Sequence, residues 1–372
     1  TDRHLWARSY ERDFRDVLAL QDEVARAIAG QIQARLTSDE QARLSRARPV
    51  NPQAHDAYLK GRYEWYRWRP ENYRKALDYF RQAIAIDPSY APAYAGLAEA
   101  YSRLGDSAWR PADAYPKAKS AALKSVELDP ELAEARTALG MSILFNDWDW
   151  AAAERELRRG IDLDPRSPIA HMAYSAFLGL MERQEEALVQ MNRGRELDPL
   201  SVTTRGVKAF RLFSARRYDE AIEESKSALE LDPTAIQARA TLGRAYLQKG
   251  MVGPAIAELE RTVDLSRRDM GPVAWLGYAY GVAGQKEKAQ AVLRELQQRF
   301  QEGYVSPPLV ALVFLGLGDR DRAFEWLEKG YALRDSLIVR LNATREFDAL
   351  RSDPRFADLK RRVGLPSEKR GS

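Results

Sequence analysis

Residues that could carry chemistry are few and scattered in this sequence. Cysteine is absent, which excludes disulfides, thiol nucleophiles and thiolate metal sites. The three histidines, His4, His55 and His171, lie far apart, and none has a histidine or cysteine four residues away, so we expect no zinc site. Neither a phosphate loop ending in Gly-Lys-Ser/Thr nor a Gly-x-Ser-x-Gly elbow occurs. We therefore predict a protein without catalytic residues, metal or cofactor.

Two short motifs imitate functional sites. Gly316-Leu317-Gly318 could begin a dinucleotide fingerprint, but it follows a predicted helix rather than a strand and falls at a turn between helices. Asp147 and Asp149 could form a carboxylate pair for a metal or for acid–base chemistry. They also fall at a predicted turn, where capping of a helix is the favoured role. We interpret both motifs as structural.

One stretch alternates aromatic and basic residues, a combination that could stack nucleic-acid bases. The net charge is only +4, from 58 basic and 54 acidic residues, and the basic residues form no concentrated stripe. Packing of this stretch against N-terminal helices is the favoured interpretation, and we expect no direct binding of nucleic acid. The stretch contains Arg62, Tyr63, Trp65, Tyr66, Arg67, Trp68 and Arg69.

The elements that must position any site follow an internal repeat with a period of 34 residues. Asp-Pro pairs separate successive units, because proline cannot continue a helix. An alanine stands twelve residues before each of these prolines, and the register continues through three units without Asp-Pro. A small side chain at this position lets two helices cross closely. The alanines are Ala76, Ala118, Ala153, Ala187, Ala221, Ala255, Ala289 and Ala323.

A second column of small residues is predicted on the facing helix of each pair. Its members are Ala98, Gly140, Ser175, Ala209, Gly243, Gly277 and Ala311. Gly105-Asp106 and Gly318-Asp319 each place a glycine at the end of the first helix and an aspartate that could cap the second. The second repeat carries eight extra residues. We predict eight helix pairs over about residues 49 to 335.

The two ends of the chain carry different signals. Leu5–Tyr10 reads as a short strand, a helix is predicted over about Asp16–Leu36, and a capping box at Thr37–Glu40 begins a second helix ending near Arg48. Asn51-Pro52 should cap the first repeat helix. Near the other end, Asp353 and Pro354 should begin a helix whose apolar face covers the open end of the array. That face comprises Phe356, Leu359 and Val363; Gly364 and Pro366 close the helix, and the tail from Ser367 is expected to be disordered.

These residues resemble a known family over nearly the whole chain. The segments that carry the resemblance are His4–Asp13, Ala19–Glu23, Asn51-Pro52 with Ala57–Tyr63, Asp147–Trp150 and Asp353–Phe356. They are similar to the C-terminal tetratricopeptide region of large bacterial regulators. There the region follows a TolB-like α/β segment, behind a winged-helix domain, a serine/threonine kinase or an adenylate cyclase. The resemblance implies that Leu5–Tyr10 is the last strand of a TolB-like domain, and that the chain acts in signalling or transcription control.

The predicted fold is all-α: a right-handed superhelical solenoid of about eight tetratricopeptide helix pairs, with a short N-terminal strand and helix segment and a C-terminal capping helix. We divide the chain into residues 1–48, the array 49–335, and the cap and tail 336–372. No stretch has the length of a membrane span and no signal peptide is visible, so we expect a cytoplasmic protein.

The concave surface of such a solenoid is its expected binding surface. Acidic-tail clamps of this superfamily use Lys and Asn where Ala95, Glu99, Thr137 and Met141 stand here, so we expect an apolar or amphipathic peptide partner instead. The predicted groove residues are Met141, Leu144, Phe145, Met172, Phe210, Phe213, Arg244 and Tyr278. Changing both Phe210 and Phe213 to Ser is predicted to abolish partner binding without loss of helix.

Two alternatives stay open at this point. The groove side chains could pack against neighbouring repeats or receive part of the same polypeptide. The chain could also be a self-assembly module that forms homo-oligomers through the ends of the solenoid. Light scattering over a concentration range separates that possibility from partner binding, since a monomer at high concentration contradicts self-assembly.

Overall fold

A computed structural model of the chain describes residues 51–67 and 70–366. The predicted strand Leu5–Tyr10, the two predicted N-terminal helices, Trp68, Arg69 and the tail from Ser367 lie outside the described residues.

Sixteen helices of the described residues form eight antiparallel pairs, as the repeat predicts. In chain order they are α1 (Pro52–Trp65), α2 (Pro70–Ile86), α3 (Ala91–Ser107), α4 (Pro111–Leu128), α5 (Ala133–Asn146), α6 (Trp150–Leu163), α7 (Pro168–Leu180), α8 (Gln184–Leu197), α9 (Val202–Ser214), α10 (Tyr218–Leu231), α11 (Ile236–Gln248), α12 (Val252–Leu265), α13 (Met270–Val282), α14 (Lys286–Glu302), α15 (Pro307–Gly316) and α16 (Arg320–Ala332). A final helix, α17 (Pro354–Val363), follows a 3₁₀-helix at Arg345–Leu350.

The predicted alanine column lies at the crossing of the two helices in each pair. All eight alanines are buried, and none is more than 1% exposed. The facing small residues touch the same backbone: a Cβ on Gly140 would lie 3.1 Å from the Ala153 carbonyl oxygen, and the Ser175 hydroxyl donates to the Ala187 carbonyl at 2.7 Å. Both columns are therefore small because the two backbones approach closely.

Most of the predicted caps are confirmed. Side-chain oxygens of Asn51, Asp149 and Asp319 accept from backbone N–H groups in the first turns of α1, α6 and α16. Gly318 has φ +83°, a left-handed conformation that glycine adopts without strain. The Gly316–Gly318 motif lies at the α15–α16 turn, as interpreted from the sequence.

Two predicted caps are wrong. The extra residues of the second repeat lengthen α3 to Ser107, so Asp106 lies inside that helix, and no side chain caps α4. The Asp106 carboxylate instead accepts hydrogen bonds from Arg340 at 2.7 Å and from the Tyr115 hydroxyl at 2.9 Å. Asp147 pairs with Lys119 at 2.6 Å and leaves capping of α6 to Asp149.

The predicted C-terminal helix is confirmed as α17. Asp353 accepts from the Arg355 amide, and Gly364 has φ +78°. Phe356, Leu359 and Val363 are at most 2% exposed, so the predicted face is buried. The helix lies against α16, where Arg362 pairs with Glu328. Between α16 and α17, residues 334–351 leave the repeat and enter the concave side of the array, and we call them the inner segment.

Candidate partner-binding cavity

A cavity of about 790 Å³ runs along the concave side of the array. Its lining residues come mainly from the first helix of each pair from α3 to α15, from the turn between α1 and α2 of the first repeat, and from the inner segment. The array curves back on itself, since Arg267 lies 4.0 Å from Glu71 of the first repeat. The cavity is therefore enclosed on several sides rather than open like a shallow groove.

The inner segment is held by polar contacts to four successive repeats. They are Arg340 Nη2 to Asp106 Oδ2 (2.7 Å), Arg334 Nη2 to the Asn146 carbonyl (2.9 Å), Asn342 Nδ2 to the Leu180 carbonyl (3.3 Å), Arg351 Nη1 to Glu182 Oε1 (3.4 Å), Ser214 Oγ to the Ala343 carbonyl (3.2 Å) and Arg216 Nη2 to Asp348 Oδ2 (2.8 Å). Its apolar side chains Ile338, Leu341 and Phe347 are no more than 1% exposed. The segment is thus a well-packed part of the core, and polypeptide of this chain lies in the concave surface.

Arg244 joins the sixth repeat to this segment. Its guanidinium binds both carboxylate oxygens of Glu346, at 2.6 and 2.8 Å, and the two side chains are 5% and 2% exposed. The same guanidinium lies over the rings of Phe213 and Trp275, 4.6 and 4.7 Å from their centroids. A bidentate, buried pair of this kind fixes the position and the orientation of both side chains.

The structure places the eight predicted groove residues in two groups. Phe213 and Tyr278 are not among the residues that line the cavity, and Phe213 is fully buried between α9 and α10. The others do line it: Met141, Leu144, Phe145, Met172, Phe210 and Arg244. Their role in binding a partner stays a prediction.

Sequence reasoning missed a second arginine at this surface. Arg211 lines the cavity, yet its side chain is only 6% exposed. Burial, together with Arg340 and Arg345, lowers the pKa of Arg211 to about 10. The sequence did contain a sign that Arg211 is unusual. The equivalent positions 34 residues before and after it hold the buried, apolar residues Phe177 and Ala245.

Asp106 is the carboxylate that anchors the inner segment to the second repeat. Its burial acts to raise the pKa, but Arg340 and Arg103 outweigh that effect and hold the pKa of Asp106 below its ordinary value. Arg340 also lies over the ring of Phe145, 5.1 Å from its centroid. The contact combines a charge pair with an aromatic stack, as at Arg244.

The other candidates from the sequence have structural partners. His171 bonds Gln190 and the Pro165 carbonyl, and His55 bonds the Tyr90 hydroxyl. Arg62 binds Glu99 at 2.7 Å and lies over Trp65. Within residues 51–67 and 70–366, no group of three or more His, Asp or Glu side chains could hold a metal ion. In the same part of the chain, no helix is long and apolar enough to cross a bilayer.

Comparison with known proteins supports the repeat assignment. Residues 68–108 and 212–270 match the tetratricopeptide repeat model. A putative adenylate cyclase 3 of Rhizobium meliloti (strain 1021) is 33% identical over 97 residues, which are 26% of this chain and 16% of that protein. The chain therefore matches only a small part of the length of this curated relative.

Two solved structures are similar in fold. The match to a chain of the APC/C hetero-tetramer Cut9–Hcn1 covers 95% of this chain and 60% of that chain, with a TM-score of 0.55 at 16% sequence identity. The human IFIT1 dimer with m7Gppp-AAAA matches 70% of this chain and 68% of its own, with a TM-score of 0.51 at 16% identity. The chain has the fold of a tetratricopeptide-repeat solenoid.

Proposed function

We propose that this chain is a non-catalytic protein-interaction scaffold, whose concave surface binds a peptide or helix of a partner protein. The inner segment carries the proposal. Irregular polypeptide already lies along this surface, held by apolar contacts and by charge pairs. A surface that accommodates one stretch of polypeptide has suitable shape and chemistry for another.

The contacts of the inner segment suggest the chemistry of the partner. Glu346 binds Arg244 while the next residue, Phe347, is buried. The neighbouring wall offers Met141 and Met172, which adapt readily to different apolar side chains. An apolar or amphipathic segment therefore fits this surface better than a highly acidic tail. We place it in the volume between the inner segment and helices α5, α7 and α9.

The biological setting is part of the same proposal. The likeness to part of a putative adenylate cyclase supports a place in the regulatory region of a bacterial signalling or transcription-control protein. The cyclase activity belongs to the name of that relative and is not proposed for these residues. In this setting the solenoid would present or position a partner for an effector domain.

Selection from a displayed library of random peptides tests the proposal. Peptides that bind the native chain should be enriched in apolar residues, and Met172→Glu should weaken their binding at least about tenfold by placing a charge in the apolar wall. Val189→Glu is the matched control, because Val189 is 63% exposed on α8, away from the cavity. Equal binding to both variants, with unchanged helical circular dichroism, would place the peptide site elsewhere.

A further inference from the structure

Arg211 carries a buried charge without a counterion. Its Nε and Nη1 have no hydrogen-bond partner, and no carboxylate pairs with it among residues 51–67 and 70–366. Other buried arginines of the array are paired, for example Arg239 with Glu258 and Arg244 with Glu346. Proteins rarely bury an unpaired charge, because its desolvation is not offset. The unpaired guanidinium therefore calls for a ligand that supplies the missing negative charge.

The charged groups around Arg211 also favour the binding of an anion. The charged groups that act on it most are two further arginines, Arg340 and Arg345. Both of these arginines have carboxylates of their own, since Asp106 binds Arg340 and Asp348 lies 3.6 Å from Arg345. With its pKa lowered only to about 10, Arg211 remains a cation at neutral pH. Both charged groups that act on Arg211 are thus cations, and neither supplies a negative charge to it.

Space for the guanidinium is built into the neighbouring helix. A Cβ on Gly179 of α7 would come within 2.4 Å of Arg211 Nη1, so this glycine leaves room for the guanidinium in its present position. On its other side Arg211 lies over the ring of Phe210, 4.8 Å from the centroid. These neighbours hold the side chain at the cavity wall without accepting a hydrogen bond from its Nε or Nη1.

The cavity at this point suits a small molecule. The whole cavity has a volume of about 790 Å³, which leaves room at Arg211 for a small ligand, since small-ligand pockets usually measure roughly 300–1,000 Å³. Phe210 lies against the guanidinium, and the apolar side chains of Met172, Ala176 and Leu180 on α7 line the same cavity. The combination of one fixed cation and apolar walls selects a ligand with one anionic group on an apolar body.

We propose that Arg211 binds the anionic group of a small amphiphilic organic anion, a carboxylate, sulfonate or phosphate on an apolar body, inside this cavity. The site goes beyond the proposed partner binding and does not depend on it. A ligand here would touch both α9 and the inner segment, so its presence would strengthen the attachment of residues 334–351.

A pair of fluorescent dyes tests the site in the full chain. 8-Anilinonaphthalene-1-sulfonate carries the required anion on an apolar body, and N-phenyl-1-naphthylamine has the same rings without the charge. We expect the sulfonate to bind with a stoichiometry of one. Arg211→Gln should weaken its binding on the order of tenfold or more, and Arg211→Lys by much less. Binding of the neutral dye should be the same in all three proteins.

Arg159→Met is the matched control, because this arginine is exposed on α6 and should leave both dyes unaffected. Failure of the native chain to bind the sulfonate would overturn the proposal. So would equal loss of both dyes in Arg211→Gln, which would indicate a collapsed cavity rather than a lost charge. The proposal would also be overturned if Arg211→Gln left the affinity for the sulfonate unchanged. The peptide selection is measured separately on the native chain, so failure of the Arg211 site can be told apart from failure of the proposed peptide binding.

Discussion

Arg244 and Glu346 are 102 positions apart in sequence and form a bidentate ion pair in which neither side chain is more than 5% exposed. The pair joins the sixth repeat to the inner segment. Removing one partner should leave a buried charge unpaired. We expect Glu346→Gln to lower the free energy of unfolding by about 3–5 kcal/mol, measured by urea denaturation.

A second variant separates the charge effect from loss of packing. Replacing both residues with apolar ones of similar size, Arg244→Met with Glu346→Leu, should recover most of that loss, because no unpaired charge remains. If the double variant were as unstable as Glu346→Gln, the pair would contribute through shape rather than charge.

Phe210 and Phe213 should behave differently when changed separately. Phe213 is fully buried against Ala221 and Ile222 of the next helix, so Phe213→Ser should cost at least about 3 kcal/mol of stability. Phe210 is partly exposed and lines the cavity, so Phe210→Ser should cost less and should weaken the binding of selected peptides. Thermal unfolding and peptide titration measure the two effects. Equal destabilisation by both changes would place Phe210 in the core.

The alanine column predicts a strong sensitivity to size. Ala221 is 0% exposed at the crossing of α9 and α10, so Ala221→Leu should overpack it and cost about 1–3 kcal/mol in thermal or urea unfolding. Glu223→Ala is the control on the same helix; its side chain is exposed, and we expect a change below about 0.5 kcal/mol. A neutral Ala221→Leu would contradict the crossing that the structure describes.

If Arg211 binds a ligand, its unpaired buried charge should lower the stability of the ligand-free fold. Its charge is desolvated without a partner, so Arg211→Met should leave the midpoint of thermal unfolding unchanged or raise it in the absence of ligand. A structural arginine would give the opposite result. Clear destabilisation by Arg211→Met would therefore assign the side chain to packing.

The Asp106–Arg340 contact predicts a dependence on pH. The pKa of Asp106 is below its ordinary value in the folded chain, so this carboxylate stabilises the fold above the unfolded pKa near 3.8. That contribution is lost as the pH falls through the folded value, where the carboxylate is protonated. We expect Asp106→Asn to cost about 1.5–3 kcal/mol at pH 7. The difference in the free energy of unfolding between Asp106→Asn and the native chain, measured by guanidinium denaturation, should shrink below pH 3.8. A difference that stays constant with pH would contradict the ion-pair assignment.

The repeat and its local geometry can be predicted from the amino-acid sequence alone. The 34-residue period, the alanine column and the caps at Asn51, Asp149 and Asp319 act within one or two helices, so spacing along the chain is enough to predict them. The buried face of α17 follows from its own periodicity in the same way. Asp106 was assigned wrongly because an insertion in its repeat moved the end of α3, which the regular period could not reveal.

The segment that lies in the concave surface could not be predicted without the three-dimensional structure. Residues 334–351 show no strong periodicity, and their partners lie up to 234 positions away, as in Arg340 with Asp106. Contacts at such separations depend on the curvature summed over several repeats, to which each repeat contributes a small rotation that no short pattern encodes. The same holds for Arg211, whose missing counterion becomes visible only when the residues that surround it in space are known.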